Sequence, residues 1–189
     1  STPIKSSAAS DVYKRQLKAW ELCEKYHLPR MVYVSDMDVD QASYKEVVED
    51  LTQLYGKKIA PFHFPIRENE KFVGYVNVVS ETGYRWVGKE VEECEIPDYS
   101  RPYLEKYRES LMEAVAETSE EMMDRYFAGE VFSDAEIRAA LRNNVVDGSI
   151  VPVSMGSNIL CQGVYTLLDD IIKYMPCLLY TSPSPRDCS

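Results

Sequence analysis

Hydrophobic residues change their spacing twice along this chain. Between Ile59 and Glu95 they fall at every second position, as in strands with one covered face. On both sides they recur every three or four residues, as in amphipathic helices. Such a switch calls for an α/β framework interrupted by a small antiparallel sheet. Strands joined by short turns pair antiparallel, whereas a strand followed by a helix leads into a parallel neighbour.

Leu17–His27 carries Leu17, Trp20 and Cys23 at helical spacing, and Pro29 blocks its continuation. Met31–Val34 then reads as a buried strand that opens into the polar loop Ser35-Asp36-Met37-Asp38. In Ala42–Tyr55 the residues Tyr44, Val47, Val48, Leu51, Leu54 and Tyr55 share one helical face, and Gly56 ends it. Ile59–Phe64 contains Pro61 and is followed by Pro65, which predicts an edge position. Phe72–Val79, a turn at Glu81-Thr82-Gly83, Tyr84–Val87 and Val91–Ile96 complete the antiparallel sheet.

Three helices follow: Arg101–Glu117, one capped by Thr118 with Glu121 that ends at Gly129, and Asp134–Asn144 capped by Ser133 with Glu136. Ile150–Ser154 is an apolar strand leading to a Gly156-Ser157-Asn158 loop. Val164–Met175 is the last helix, with Val164, Leu167, Leu168, Ile171 and Ile172 as its core stripe.

A formal net charge of −10 over 189 residues argues against a surface that attracts nucleic acid or anionic lipid, and no DNA partner is expected. No apolar run approaches the roughly 20 residues of a membrane span, and no secretory signal opens the chain, so a cytoplasmic protein without a membrane partner is expected. Cys23, Cys94, Cys161, Cys177 and Cys188 show no paired spacing, and with only His27 and His63 beside them they predict reduced, mostly buried thiols rather than a metal site. Both ends differ from the middle. SAASDVYKRQ within Ser1–Gln16 and LLYTSPSPRD within Cys177–Ser189 resemble translated adapter or vector sequence and are set apart from the fold.

The loop after Met31–Val34 sits where open α/β sheets bind ligands, at the C-terminal end of a strand. Two chemistries fit its carboxylates: an aspartate that grips a guanine base, or an Asp-x-Asp pair that supplies a nucleophile and an acid/base for phosphoryl transfer. The surrounding phrases bear on that choice. They are His27-Leu28-Pro29-Arg30-Met31-Val32-Tyr33-Val34, Ala60-Pro61-Phe62-His63-Phe64-Pro65-Ile66, Lys71-Phe72-Val73-Gly74-Tyr75-Val76-Asn77, Leu111-Met112-Glu113-Ala114-Val115-Ala116-Glu117, Pro152-Val153-Ser154-Met155-Gly156-Ser157 and Gln162-Gly163-Val164. In this order and at this spacing, over about Leu17–Pro176, the chain resembles the translational GTPases of the bacterial elongation factor G family.

The resemblance implies the C-terminal half of a P-loop GTPase-type domain with an inserted antiparallel α+β subdomain. Residues 17–58 would carry the first base loop, 59–148 the insert, and 149–176 the second base loop and last helix. Ser35-Asp36-Met37-Asp38 stands at the family's Asn-Lys-x-Asp, so Asp38 would accept two hydrogen bonds from guanine, a charge-assisted bidentate pair. Ser35 replaces the asparagine that ties the loop to the phosphate loop. Asp36 puts a negative charge where the family has lysine, which weakens binding of an anionic nucleotide. Gly156-Ser157-Asn158 stands at the second base loop, where a backbone N–H would meet guanine O6. GTP or GDP is the implied ligand, and the ribosome the implied partner, with the insert meeting the acidic stalk protein of the large subunit. No G-x-x-x-x-G-K-[ST] and no D-x-x-G is present, so Mg²⁺ would enter only through sequence upstream, and the 189 residues alone should not hydrolyse GTP.

Val34-Ser35-Asp36-Met37-Asp38-Val39 also resembles the signature of haloacid dehalogenase-like phosphatases, with Asp36 as nucleophile and Asp38 as acid/base. Asp169-Asp170 imitates their metal-binding pair, but helical periodicity predicts both on the solvated side. A calcium loop over Asp36, Asp38 and Asp40 fails, with Gln41 in place of glycine and Val47 in place of the final glutamate. A ribosome-binding relative that does not turn over nucleotide is the remaining alternative.

Overall fold

A computed structural model of the chain describes residues 7–39, 43–69, 71–88 and 90–176. It is a mixed α/β structure with one parallel and one antiparallel sheet. Helix α1 spans Ser7–Lys25, strand β1 Val32–Val34, helix α2 Tyr44–Tyr55 and strand β2 Ile59–Pro61. Strands β3 (His63–Glu68), β4 (Lys71–Asn77), β5 (Thr82–Val87) and β6 (Glu90–Cys94) follow. Helices α3 (Arg101–Ala116), α4 (Glu120–Phe127) and α5 (Asp134–Asp147) lead to strand β7 (Val151–Met155) and helix α6 (Val164–Tyr174).

The parallel sheet has the order β1-β7-β2, with Val32 opposite Val153 and Ile59 opposite Val151. Val151, Val153 and Met155 are fully buried and join Tyr44 and Val48 of α2 in one core cluster, which Val32 and Val34 pad. Both prolines avoid damage to the ladder. Phe62 N–H donates to the Val153 carbonyl, so Pro61, one residue earlier, turns its nitrogen off the sheet edge. Pro152 precedes the first β1 pairing partner, Val153, so its missing N–H falls outside that ladder.

The antiparallel sheet runs β3-β4-β5-β6. Its period-two region begins later than the pattern suggests. Ile59–Pro61 belongs to the parallel sheet, and the insert starts beyond Phe62, because the chain changes sheets there: Phe62 bonds to β7 and also accepts Val78 N–H. The β4–β5 turn precedes Thr82 rather than spanning Gly83. Asn77 Oδ1 accepts the N–H groups of Val79 and Ser80, and Glu81 takes a left-handed φ of 54°. Gly83 is instead a strand residue whose missing Cβ lets the Cys94 carbonyl approach. The outer strand β6 exposes Glu90, Glu92 and Glu93, charges that discourage edge-to-edge pairing.

Other boundaries shift for local reasons. Helix α1 begins at Ser7, within the adapter-like segment set apart from the fold, because its alanines and unbranched residues favour helix without an apolar stripe. Trp20 stacks on Tyr55 at 3.7 Å and carries the Arg30 guanidinium over its ring at 4.4 Å, which seats α1 on α2. Helix α4 is capped by Ser119, whose hydroxyl accepts from Met122 N–H, not by Thr118, whose hydroxyl donates to the Val115 carbonyl. Val47 and Leu54, expected on the core face of α2, are 37% and 56% exposed, since only Tyr44 and Val48 are buried on that helix.

The capping box of α5 forms as the spacing predicts. Ser133 N–H donates to Glu136 Oε2 at 2.8 Å, and Glu136 N–H donates to the Ser133 hydroxyl. Arg125 Nη1 donates to the same carboxylate at 2.7 Å and, with Ser133, lowers the Glu136 pKa to about 2 from 4.5. A depressed folded-state pKa adds stability above 4.5 that disappears as pH falls toward 2. The wild-type advantage in Tm over Glu136→Gln should therefore shrink between those pH values. An advantage that stays constant across the window contradicts this assignment.

Candidate functional site

Because β1 and β7 are parallel neighbours, their C-terminal loops lie side by side. Gly156 locks them together through both of its backbone groups. Its N–H donates to the Val34 carbonyl at 3.0 Å, and its carbonyl accepts Met37 N–H at 3.1 Å. A side chain at 156 would collide with the Tyr33 hydroxyl and the Gln162 carbonyl, so glycine is required for this approach. Thus Ser35, Asp36, Asp38, Gly156, Ser157 and Asn158 are gathered into two adjoining loops.

Within the first loop the side chains diverge. Met37 is 2% exposed and anchors the loop in the core, while Asp36 is exposed at a left-handed φ of 62°, a conformation aspartate tolerates. Ser35 and Asp38 are half-buried. Asp38 Oδ1 is shielded from solvent and has no hydrogen-bond partner among the described residues. A shielded carboxylate oxygen without a donor is costly, and such atoms concentrate at binding sites. Val39 N–H donates to the Asp36 carbonyl and closes the turn around Asp38.

The second loop is a small closed turn. Ser157 and Gln162 exchange both backbone hydrogen bonds, at 2.9 and 3.1 Å, and the buried Ser157 hydroxyl accepts Leu160 N–H at 3.1 Å. Asn158 and Cys161 are exposed on this turn, so Cys161 departs from the expected buried thiol; Cys23 and Cys94 are half-buried, and Cys177 and Cys188 lie outside the described residues. Gly163 then enters α6 at φ 84° against the Met155 carbonyl. Burial raises the Tyr33 phenol above its usual range, with a smaller contribution from Cys161.

Sequence reasoning missed one participant and misplaced another. Arg67, on β3, donates from Nη2 to the carbonyls of Met37 and Val39 at 2.6 and 2.7 Å, bracketing Asp38. Asp170 is buried at 4% exposure rather than solvated. Its Oδ2 accepts the Ser154 hydroxyl at 2.8 Å and faces His63 Nδ1 at 3.2 Å, while His63 Nδ1 also lies 3.4 Å from the Ser154 hydroxyl. That polar cluster and Tyr174, buried edge-on against Phe62 at 5.0 Å, seat α6. Leu168, Ile171 and Ile172 are 48%, 41% and 75% exposed, correcting the expected core stripe. Asp169 is exposed, and Asp170 is committed to the interior, so the pair does not join Asp36 and Asp38. Among the described residues no group of three or more His, Cys, Asp or Glu could hold a metal ion. No described helix is long and apolar enough to cross a membrane.

No protein-family model matches the chain. Among solved structures it is similar to a crystal structure of a Thermus thermophilus protein, with a TM-score of 0.76 and 32% identity over 84% of this chain. The chain spans 24% of that protein's length. A match of this breadth takes in residues of both sheets, so the parallel sheet with its antiparallel insert is an arrangement shared with part of a longer protein.

Proposed function

We propose that the chain is the base-binding half of a guanine-nucleotide-binding domain, from an elongation factor G-like translational GTPase that works on the ribosome in translocation. The observation that supports this most is Asp38, whose shielded Oδ1 lacks a donor among the described residues and lies in the loop adjoining Gly156-Ser157-Asn158. Guanine presents two adjacent N–H donors, at N1 and N2, and a carboxylate accepts both. The second loop, held against the first by Gly156, would supply backbone N–H to O6.

The reading accounts for the division of labour. Asp38 and the two loops select the base, while phosphate and Mg²⁺ binding fall to a phosphate loop outside these 189 residues. Asp36, exposed where the resemblance has lysine, lowers affinity for the anionic nucleotide without touching base selection. The rival phosphatase reading loses its acidic pair, since Asp170 is bonded to Ser154. The insert β3–α5 is the surface that would meet the ribosomal stalk protein.

Sequencing the source DNA upstream tests the proposal. A continuous reading frame should contain G-x-x-x-x-G-K-[ST] followed by D-x-x-G. A complete frame that starts near Leu17 would overturn it.

A further inference from the structure

Arg67 belongs to the insert, yet its guanidinium reaches out of it to the base loop. Nη2 sits 2.6 Å from the Met37 carbonyl and 2.7 Å from the Val39 carbonyl, so one donor group fixes peptide units on both sides of Asp38. The strand is prepared for this reach. A bulge interrupts the β3–β4 register between Ile66 and Arg67, with Val73 as the extra residue on β4, and bulges increase local twist and re-aim side chains. On the far side, the Tyr99 hydroxyl donates to Arg67's own carbonyl at 2.8 Å, tying the same residue to the segment before α3.

The loop has need of such a clamp. It carries two carboxylates, a residue at positive φ and two inward carbonyls, and its polar oxygens are all of one electrostatic sign. A guanidinium offsets that accumulation and holds a planar geometry that a single ammonium does not reproduce. We propose that Arg67 is a positioning residue: it holds the Asp38 carboxylate ready for a base, and it couples the base loop to the inserted sheet. This rests on the reading of Asp38 as the base-selecting group. It adds a physical link by which a shift of β3 alters base affinity.

Two readouts on the intact 189-residue chain separate this inference from that reading. Amide hydrogen exchange at Met37 and Val39, both hydrogen-bonded in the loop, needs no ligand. NMR titration with guanosine reports base binding. In Arg67→Met, exchange at these amides should accelerate by about tenfold, and guanosine affinity should fall by about tenfold, because the loop must be ordered on binding. Arg67→Lys should restore part of both, while Tyr99→Phe should leave the exchange nearly unchanged. Unchanged exchange in Arg67→Met overturns the clamp whatever guanosine does. Accelerated exchange in a chain whose wild type ignores guanosine supports the clamp and refutes base selection by Asp38. Wild-type guanosine affinity in Arg67→Met, despite loosened amides, overturns the positioning role.

Discussion

Asp38→Asn should abolish the preference for guanosine over adenosine while the chain stays folded. Asp38 is half-buried with Oδ1 shielded, its carboxylate could accept both guanine donors, and a hydrogen bond to a charged acceptor contributes about 1.5–3 kcal/mol. Loss of that pair corresponds to a fall in guanosine affinity on the order of a hundredfold. Asparagine is isosteric and leaves the Met37 anchor and the Arg67 clamp in place, so the change isolates the charge. It also presents an N–H₂ donor, which suits a base with oxygen rather than an amino group at C2. Xanthosine should therefore gain on the variant what guanosine loses. Equal loss for every nucleoside would instead point to a damaged loop, and an unchanged guanosine preference would remove Asp38 from the site.

Asp170→Ala should be the most destabilising single change near the site. The carboxylate is 4% exposed between Ser154 and His63, themselves 1% exposed, and it joins α6 to the central strand β7 and to β3. Its removal leaves a buried hydroxyl and a buried imidazole without their acceptor, which costs about 3 kcal/mol. Urea unfolding should show this as a lower midpoint with an unchanged slope. Ser154→Ala removes one donor and leaves the His63 contact, so about 1 kcal/mol is expected. The two losses should not add, because both act on one network. An Asp170→Ala loss no larger than that of Ser154→Ala would show that the cluster does not hold α6.

The difference between these two aspartates shows what a single sequence makes legible. The Asp38 loop follows an apolar run that reads as a strand, and parallel pairing with a second such run places the Gly156 loop beside it. Local pattern and the rule for ligand position in open sheets mark the Asp38 loop, whereas its pairing with the Gly156 loop is implied by the family resemblance. Asp170 defeats the same method. Val164, Leu167, Leu168, Ile171 and Ile172 make an apolar stripe on paper, but Asp170 finds its buried partners on β7 and β3, and Tyr174 packs on Phe62, so tertiary contacts decide which way the helix faces. The apolar residues left outside, Leu168 and Ile172 with Tyr165 at 77% exposed, follow from that choice.

Boundaries divide along the same line. The Ser133–Glu136 capping box is a contact three residues long, and the spacing predicts it correctly. The switch between sheets at Phe62 depends on hydrogen bonds to Val153 and Val78, which no local pattern encodes. Arg67 is the extreme case. An arginine on the polar face of a strand normally meets solvent, and only the bulge beside Val73 and the nearness of the Met37 and Val39 carbonyls give it a task.

Titration of the isotope-labelled 189-residue chain with guanosine, and separately with adenosine, tests base selection directly. Guanosine should shift the amide signals of Asp38, Gly156, Ser157 and Asn158 together, with adenosine at the same concentration leaving them in place. Equal shifts with both nucleosides, or guanosine shifts confined to residues away from these two loops, would contradict the account.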